Sequence, residues 1–312
     1  DSNQISVTMK TRFPFLIVIL FVFIAISCSS EKQNWTHFRG SNMDGHASVE
    51  KAPLSWTDTE NVVWKVPVKG LGYSSPVVYG DQIWITSATE DGTEFYSHCF
   101  DFETGKLLDE KTLFTSAEPQ HIHATNSYAT PTPCIEEGFV YVNYGNFGTA
   151  CINTNTFEVV WTREDMPCDH MQGPASSVIL HKNMLIVHLE GTEDPYVAAL
   201  DKTTGKTIWK SVRPAEIYDP LQPVFRKSFH TPIVVEVDGK ELLISNSSFM
   251  CFAHDVNTGE VVWTIQYGDD STVSQPLFYD GLVYVNSGWL FEDNKPFWTR
   301  QYAVDPTGEG DV

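Results

Sequence analysis

Chemistry in this chain would have to come from a few polar clusters set among long apolar runs. The densest is Pro119-Gln-His121-Ile-His123-Ala-Thr-Asn126-Ser-Tyr128. Two histidines with one residue between them project to the same side of an extended segment, and with a third ligand such as His230 they could bind a metal. The simpler reading makes His121, His123, Asn126 and His230 hydrogen-bonding groups around a channel. It requires no metal, and none is expected. A second cluster, Glu190-Gly-Thr-Glu193-Asp194, offers carboxylate oxygens for calcium. It lacks EF-hand spacing and reads more simply as a solvated acidic hairpin loop.

A third candidate lies near the start, in Trp35-Thr-His-Phe38-Arg39-Gly40-Ser-Asn-Met-Asp44-Gly45. Arg39 and Asp44 read either as a structural ion pair or turn, or as part of a binding surface. The loops 213–228 and 287–298 carry Tyr218, Phe225, Trp289, Phe291, Phe297 and Trp298. Aromatics on loops can make a partner surface, although packing against the body of the protein is the simpler reading. Cysteines 99, 134, 151, 168 and 251 show no C-x-x-C metal spacing and no vicinal pair. Cys134 and Cys151 could meet across neighbouring strands, but small buried thiols in strands are the reading preferred.

These groups must be positioned by a phrase that the chain repeats. It is clearest as Ala198-Ala-Leu-Asp201-Lys-Thr-Thr-Gly205-Lys-Thr-Ile-Trp209 and returns as Phe252-Ala-His-Asp255-Val-Asn-Thr-Gly259-Glu-Val-Val-Trp263. An apolar run ends in Asp-x-x-Thr-Gly and a second begins at once. Asp bonds its side chain to nearby backbone N–H groups, and Gly accepts the positive φ of a tight loop, so each phrase predicts strand, turn and strand. Asp101 to Gly105 repeats the turn but has Asp109 where tryptophan belongs, whereas Asn153 to Trp161 keeps the tryptophan and has Phe157 where glycine belongs. A half copy ends at Trp64. Positions 64, 109, 161, 209 and 263 are 45, 52, 48 and 54 residues apart, a period that indicates a β-propeller.

Each period holds four short apolar runs separated by turn signals, which predicts four-stranded antiparallel blades starting near residues 75, 129, 173, 230 and 274. Residues 61–68 are predicted to be a strand that closes the ring against the last blade, removing exposed edges. The fifth blade lacks a fourth strand before Val312, so the chain is expected to be incomplete at its C-terminus. Chemistry in such a fold sits in the central channel and the loops at one face, around each Ser/Thr-x-Pro entry.

Ahead of the repeats, residues 1–8 precede Met9 and are read as a non-native leader. Residues 9–27 carry two positive charges, then an apolar run over 13–26 broken only by Pro14, as a secretory signal does; the run is short for a membrane span. Ala25-Ile26-Ser27-Cys28 resembles a bacterial lipobox, which implies lipid on Cys28 and membrane attachment through that lipid only. Residues 28–50 are then the lipidated N-terminus, tether and opening segment, and 51–312 the propeller. With 20 Lys and Arg against 40 Asp and Glu, the chain carries a formal charge of −20. Such a surface repels phosphate backbones, so no nucleic-acid partner is expected.

The opening segment, with Trp35 followed by Phe38-Arg39-Gly40 and the Asp44-Gly45 loop, taken with the Asp-x-x-Thr-Gly-x-x-x-Trp phrases, resembles the PQQ-like β-propeller repeat proteins exported by bacteria. The resemblance runs from about Trp35 to the end. It implies seven or eight blades in a full-length relative, and two functional classes. One is a non-enzymatic scaffold at the cell envelope, periplasmic or at the outer membrane, that binds an envelope protein or saccharide without a cofactor. The other is a quinoprotein dehydrogenase that holds pyrroloquinoline quinone with calcium and oxidises an alcohol or sugar. The vicinal disulfide of the dehydrogenases is absent here, and no Asp base with a neighbouring Asn and Glu set is evident. The scaffold is the expectation.

Overall fold

The computed structural model describes residues 34–48, 52–268, 272–288 and 299–312. The leader, the signal and Cys28 lie outside the described residues, as does most of the loop 287–298. The described residues form antiparallel sheets in chain order. Blade 1 holds β1 (Val77–Tyr79), β2 (Gln82–Ala88), β3 (Glu94–Asp101) and β4 (Leu107–Thr115). Blade 2 holds β5 (Cys134–Glu136), β6 (Phe139–Asn143), β7 (Thr149–Asn153) and β8 (Val159–Arg163), and blade 3 holds β9 (Ile179–His181), β10 (Met184–Leu189), β11 (Tyr196–Asp201) and β12 (Thr207–Val212). Blade 4 has β13 (Ile233–Val237), β14 (Lys240–Asn246), β15 (Met250–Asp255) and β16 (Val261–Gln266); blade 5 has β17 (Leu277–Tyr279), β18 (Leu282–Asn286) and β19 (Gln301–Val304). The fold is a β-propeller of four-stranded blades, the fifth with three strands among the described residues.

Two expectations about the ends change. Residues 61–68 enter no sheet among the described residues: a strand exists only where a neighbour takes up its N–H and C=O groups, and no described strand lies beside them. Near the other end, β20 (Gly310–Asp311) runs parallel to β16, with Gly310 opposite Trp263, so that blade 4 gains a fifth strand. The thiols Cys99, Cys134, Cys151, Cys168 and Cys251 are all buried and free. Cys134 and Cys151 both stand opposite Tyr141, one on each side of it, so the β6 strand separates them and no disulfide forms.

The repeated phrase links neighbouring blades. Each turn is closed by its own Asp, as where Asp201 Oδ1 accepts the Thr204 N–H at 2.8 Å. The tryptophan of one phrase then reaches the turn of the next. Trp64 Nε1 donates to the Phe102 carbonyl at 3.0 Å, Trp161 to Lys202 at 3.0 Å, Trp209 to Val256 at 2.9 Å and Trp263 to Pro306 at 3.1 Å. In every case the acceptor is the residue after the turn Asp. The indole also lies flat on the turn glycine: a Cβ on Gly205 would come within 2.7 Å of Trp161, and one on Gly259 within 2.6 Å of Trp209. The glycine thus serves both a positive φ of 70–75° and this close approach.

The two imperfect copies meet at one interface. Blade 1 offers Asp109 in place of a tryptophan, and the blade 2 turn offers Phe157, at φ 60°, in place of glycine. The Phe157 ring would exclude an indole, and it packs instead on Trp84, 6.0 Å between centroids. The carbonyl after the turn, Thr154, accepts from Gln82 Nε2 at 2.9 Å, and Gln82 Oε1 accepts from Trp84 Nε1 at 2.9 Å. A Trp–Gln relay on β2 replaces the missing indole.

At the inner edge, a second set of bonds crosses the blades. The Ser75 N–H donates to Thr132 Oγ1, the Thr132 N–H to Ser177 Oγ and the Ser177 N–H to Thr231 Oγ1, each at 3.0 Å. These residues precede the first strand of successive blades. The opening segment then visits those first strands in turn: Trp35 pairs with Val78, the Thr36 carbonyl accepts from Ile135 N–H, and His37 Nε2 accepts from Leu180 N–H. One short stretch therefore ties three blades together.

Truncating a docked indole removes both the bond and the ring contact, so Trp209→Ala is expected to lower unfolding free energy by about 3–5 kcal/mol, and Trp209→Phe by about 1 kcal/mol, in chemical denaturation. At the exceptional interface, Asp109→Trp and Phe157→Gly should each destabilise alone and recover stability when combined. A double-mutant cycle without coupling would contradict the docking scheme.

Candidate functional site

A cavity of about 680 Å³ opens where the blades begin. Tyr73, Thr130, Ala175, Phe229 and Val273 line it, one from each blade entry. Each stands two residues before the position that bonds across to a neighbouring blade, or, for Val273, before its counterpart Gln275. The same repeat that fixes the blades thus delivers five unlike side chains to one mouth. Between blades 1 and 3 the wall is completed by His123, Asn126 and Gln172, and near blade 4 by Lys227.

His123 and Asn126 line the cavity. Asn126 is structurally engaged: its Nδ2 donates to the Gln172 carbonyl at 2.8 Å, and its Oδ1 accepts from Ser127 N–H and the Thr130 hydroxyl. His123 Nδ1 accepts the Thr125 N–H at 3.2 Å, which leaves a proton on Nε2 of the neutral ring. His121 is exposed and is not part of the lining. His230 is fully buried beside the cavity residue Phe229, with its ring 4.2 Å from that of His188. The metal reading of the three histidines therefore fails on geometry, and among the described residues no three His, Cys, Asp or Glu groups could hold a metal ion.

Arg39 and Asp44 lie on the opening segment and close a local turn. Arg39 Nη2 donates to the Asp44 carbonyl at 3.4 Å rather than to its carboxylate, and the carboxylate accepts the His46 N–H at 2.9 Å. The acidic loop read as solvated also divides. Glu193 and Asp194 are exposed, whereas Glu190 is buried and turned toward Arg213.

That buried pair heads a network that no sequence motif announces. Glu190 Oε1 accepts from Arg213 Nε, and Oε2 accepts from the Ser247 hydroxyl at 2.6 Å. Arg213 also donates to Ser245 Oγ and to His254 Nε2 at 3.1 Å, with its guanidinium 4.3 Å above the Phe252 ring. The His254 Nδ1–H donates to the Gly259 carbonyl at 3.1 Å. His188 stands between Ser176 Oγ, 3.1 Å away, and Glu190 Oε1, 3.2 Å away. Tyr218 donates to Ser247 Oγ at 2.6 Å. The network joins blade 3 to blade 4. It also anchors the cavity wall, because the Ser228 N–H donates to the Glu190 carbonyl and the Ser228 hydroxyl meets Thr272 Oγ1 at 2.7 Å, bracketing Phe229 and Val273.

Burial alone would raise the Glu190 pKa, but Arg213, His188 and Ser247 outweigh it and hold the carboxyl down to about 2. The buried imidazoles go the other way. Desolvation lowers His37 and His170 to about 4, and desolvation with the Arg213 charge lowers His254 to about 3. His230 is pushed well below its usual value by burial and the charges of His188 and Arg213. A histidine whose folded pKa is depressed contributes stability above its unfolded value near 6.5, and loses it as pH falls toward the folded value. Melting temperature is therefore expected to fall steadily from pH 6.5 to pH 4, while Glu190 stays ionised. Glu190→Ala, which strands the Arg213 charge, should destabilise by about 3–5 kcal/mol in urea melts.

A family profile described as "Outer membrane protein assembly factor BamB" matches residues 98–211 and 193–307. Comparison with curated proteins gives no match. Among solved structures, BamB from Moraxella catarrhalis is similar at 17% identity and TM-score 0.45, over 69% of this chain and 56% of that one. A quinohaemoprotein alcohol dehydrogenase from Pseudomonas putida HK5 is similar at 15% identity and TM-score 0.49, over 78% and 41%. A europium-containing methanol dehydrogenase is similar at 13% identity and TM-score 0.45, over 62% and 42%. The chain spans little more than half the length of the first of these and less than half of the other two. Through the repeats matched from residue 98 to residue 307, the chain belongs to the PQQ-like β-propeller repeat family that carries the BamB description.

Proposed function

We infer that this chain is a non-enzymatic binding scaffold of the cell envelope, held to the membrane by lipid on Cys28, which presents its cavity and the surrounding loops to an envelope protein or saccharide. The description of its family as an outer membrane assembly factor supports an envelope role. The observation that carries the reading is the chemistry of the mouth. None of the described residues lining the cavity is a carboxylate, and the buried carboxylate nearby, Glu190, is engaged on both oxygens by Arg213 and Ser247.

Pyrroloquinoline quinone with calcium does not fit this donor set. Calcium takes six to eight oxygen ligands, several of them carboxylates, and the lining offers amides, hydroxyls, an imidazole and the Lys227 ammonium. Hydrophobic and aromatic faces from Tyr73, Phe229 and Val273 with a few convergent polar groups describe a recognition pocket. Its contributors differ from blade to blade, whereas the turns that build the blades agree.

Saturating quinone with calcium is expected to leave the melting temperature unchanged and to give no dye-linked alcohol oxidation. A photo-crosslinking amino acid at Val273, in cells, should capture a discrete envelope component. A quinone-dependent rise in melting temperature accompanied by turnover would overturn the scaffold reading. Cys28→Ser is expected to abolish incorporation of an alkyne-labelled fatty acid and to release the protein from membranes while its fold persists; persistent labelling would remove the lipid anchor from the account.

A further inference from the structure

The cavity and the opening segment lie at opposite ends of the blades. Asn34 Oδ1 accepts the Gly80 N–H at 2.9 Å and Trp35 pairs with Val78, so the segment enters beside the hairpin turn that joins β1 to β2. The Asp81 carbonyl in that turn accepts the Phe102 N–H at 2.8 Å, which puts the Asp-x-x-Thr-Gly turn of the same blade at the same end. Blades 2, 3 and 4 repeat the bond, from the N–H groups of Thr154, Lys202 and Val256 to the carbonyls of Gly138, Asn183 and Glu241. The cavity residues belong to the other end. From the turn, β2 runs back to Ala88, which pairs with Leu71, two residues before Tyr73; Thr130, Ala175, Phe229 and Val273 hold the equivalent places.

Chain length limits what each end can reach. Cys28 stands six residues before Asn34, and an extended chain spans at most about 3.6 Å per residue, so a lipid on Cys28 is held within about 22 Å of the turn end. The seven residues of β2 separate the turn end from the mouth by about 20 Å. Asn34 bonds at the innermost strand, and the three strand spacings out to β4 add about 14 Å. A path from Asn34 round the blade to the plane of the mouth therefore runs about 34 Å, half as long again as the tether. The direct path, along the axis, takes nearly the whole tether and passes through the cavity itself.

We propose that the lipid on Cys28 turns the Asp-x-x-Thr-Gly face of the propeller toward the anchoring membrane and holds the cavity mouth off it, so that the mouth takes a water-soluble partner and not a lipid of that membrane. The inference rests on the lipid anchor of the reading above and adds the direction in which the same site looks. Tyr73 and Val273, 53% and 67% exposed at the rim, then open onto the aqueous layer. A partner fixed in the same membrane must extend about 20 Å from it to meet them. Lipid headgroups and acyl chains, which exposed apolar groups of this kind would otherwise attract, lie out of range.

A fluorescent amino acid at Asn257, exposed in a blade 4 turn, or at Val273, exposed at the mouth, reads one face or the other. The lipid-bearing protein purified from cells is placed in vesicles of phosphatidylethanolamine and phosphatidylglycerol that carry a nitroxide on the headgroup. Quenching is expected to be about threefold stronger at Asn257 than at Val273, because only the turn end lies within reach of the tether. Inserting about twelve Gly and Ser residues between Ser30 and Glu31 makes the tether longer than the path round the blade, and should largely remove that contrast. Equal or stronger quenching at Val273 in the unaltered protein, or an insertion that leaves the contrast unchanged, overturns the proposal. If the protein from cells carries no lipid on Cys28, the anchor reading falls. Coupling the Cys28 thiol to maleimide-bearing lipid, with Cys99, Cys134, Cys151, Cys168 and Cys251 buried, then puts the tether geometry to the same quenching test.

Discussion

The contact on which this molecule depends is an indole laid over the next blade's turn. An indole N–H to a carbonyl ties blades 2, 3 and 4 to their successors, with a flat ring on a glycine at the first two of these junctions, where the backbone folds back tightly at positive φ. The Asp-x-x-Thr-Gly phrase makes that turn. Its Asp closes the loop from inside, its Gly removes the Cβ that would meet the ring, and the residue after the Asp presents the carbonyl. Energetically the dock combines aromatic burial with a hydrogen bond that would otherwise be left unmade in a dry interface. The hydroxyl-to-backbone bonds at the inner edge act with it, so that neighbouring blades are tied at both edges.

This arrangement explains where variation is tolerated. Substituting the glycine forces the indole out, and substituting the indole strands a carbonyl, so the two positions must change together. They do so once, at the junction of blades 1 and 2, where the chain has Asp109 and Phe157 at these positions and a relay of Trp84 and Gln82 reaches the turn. The cavity residues carry no such obligation. Tyr73, Thr130, Ala175, Phe229 and Val273 occupy one structural position in five blades and range from a methyl group to a phenol. Beneath Phe229, the Glu190–Arg213 pair and its serines hold the wall without reaching the solvent, a buried ion pair whose value lies in position more than in net stability.

Much of the fold can be read along the chain because its signals are local. A turn Asp, a turn Gly and an apolar run of five residues report a hairpin within a dozen positions, and the spacing of Trp161, Trp209 and Trp263 reports the blades. The correspondence of Asp109 with Phe157 is harder to see, because aligning the phrases compares like positions whereas an indole docks from one phrase onto the next. The Glu190 network is hidden for a related reason: its partners lie 23, 41 and 57 residues apart and fall in no shared pattern. Residues 61–68 mislead in the opposite sense, since their strand-like composition finds no described strand beside it. Among the candidate site residues, His123 and Asn126 reach the mouth because they sit on the connection between blades 1 and 2. His230 has the right blade entry but faces inward, one residue from Phe229.

The repeat supplies architecture, and the mouth is free to supply recognition. Hydrogen exchange at the docked indole Nε1–H groups of Trp161, Trp209 and Trp263 tests it directly when Tyr73, Phe229 and Val273 are all replaced by alanine. The indole protons are expected to remain as protected as in the unaltered protein. Rapid exchange of all three would mean that the mouth residues hold the blades together, and would contradict the separation of architecture from recognition.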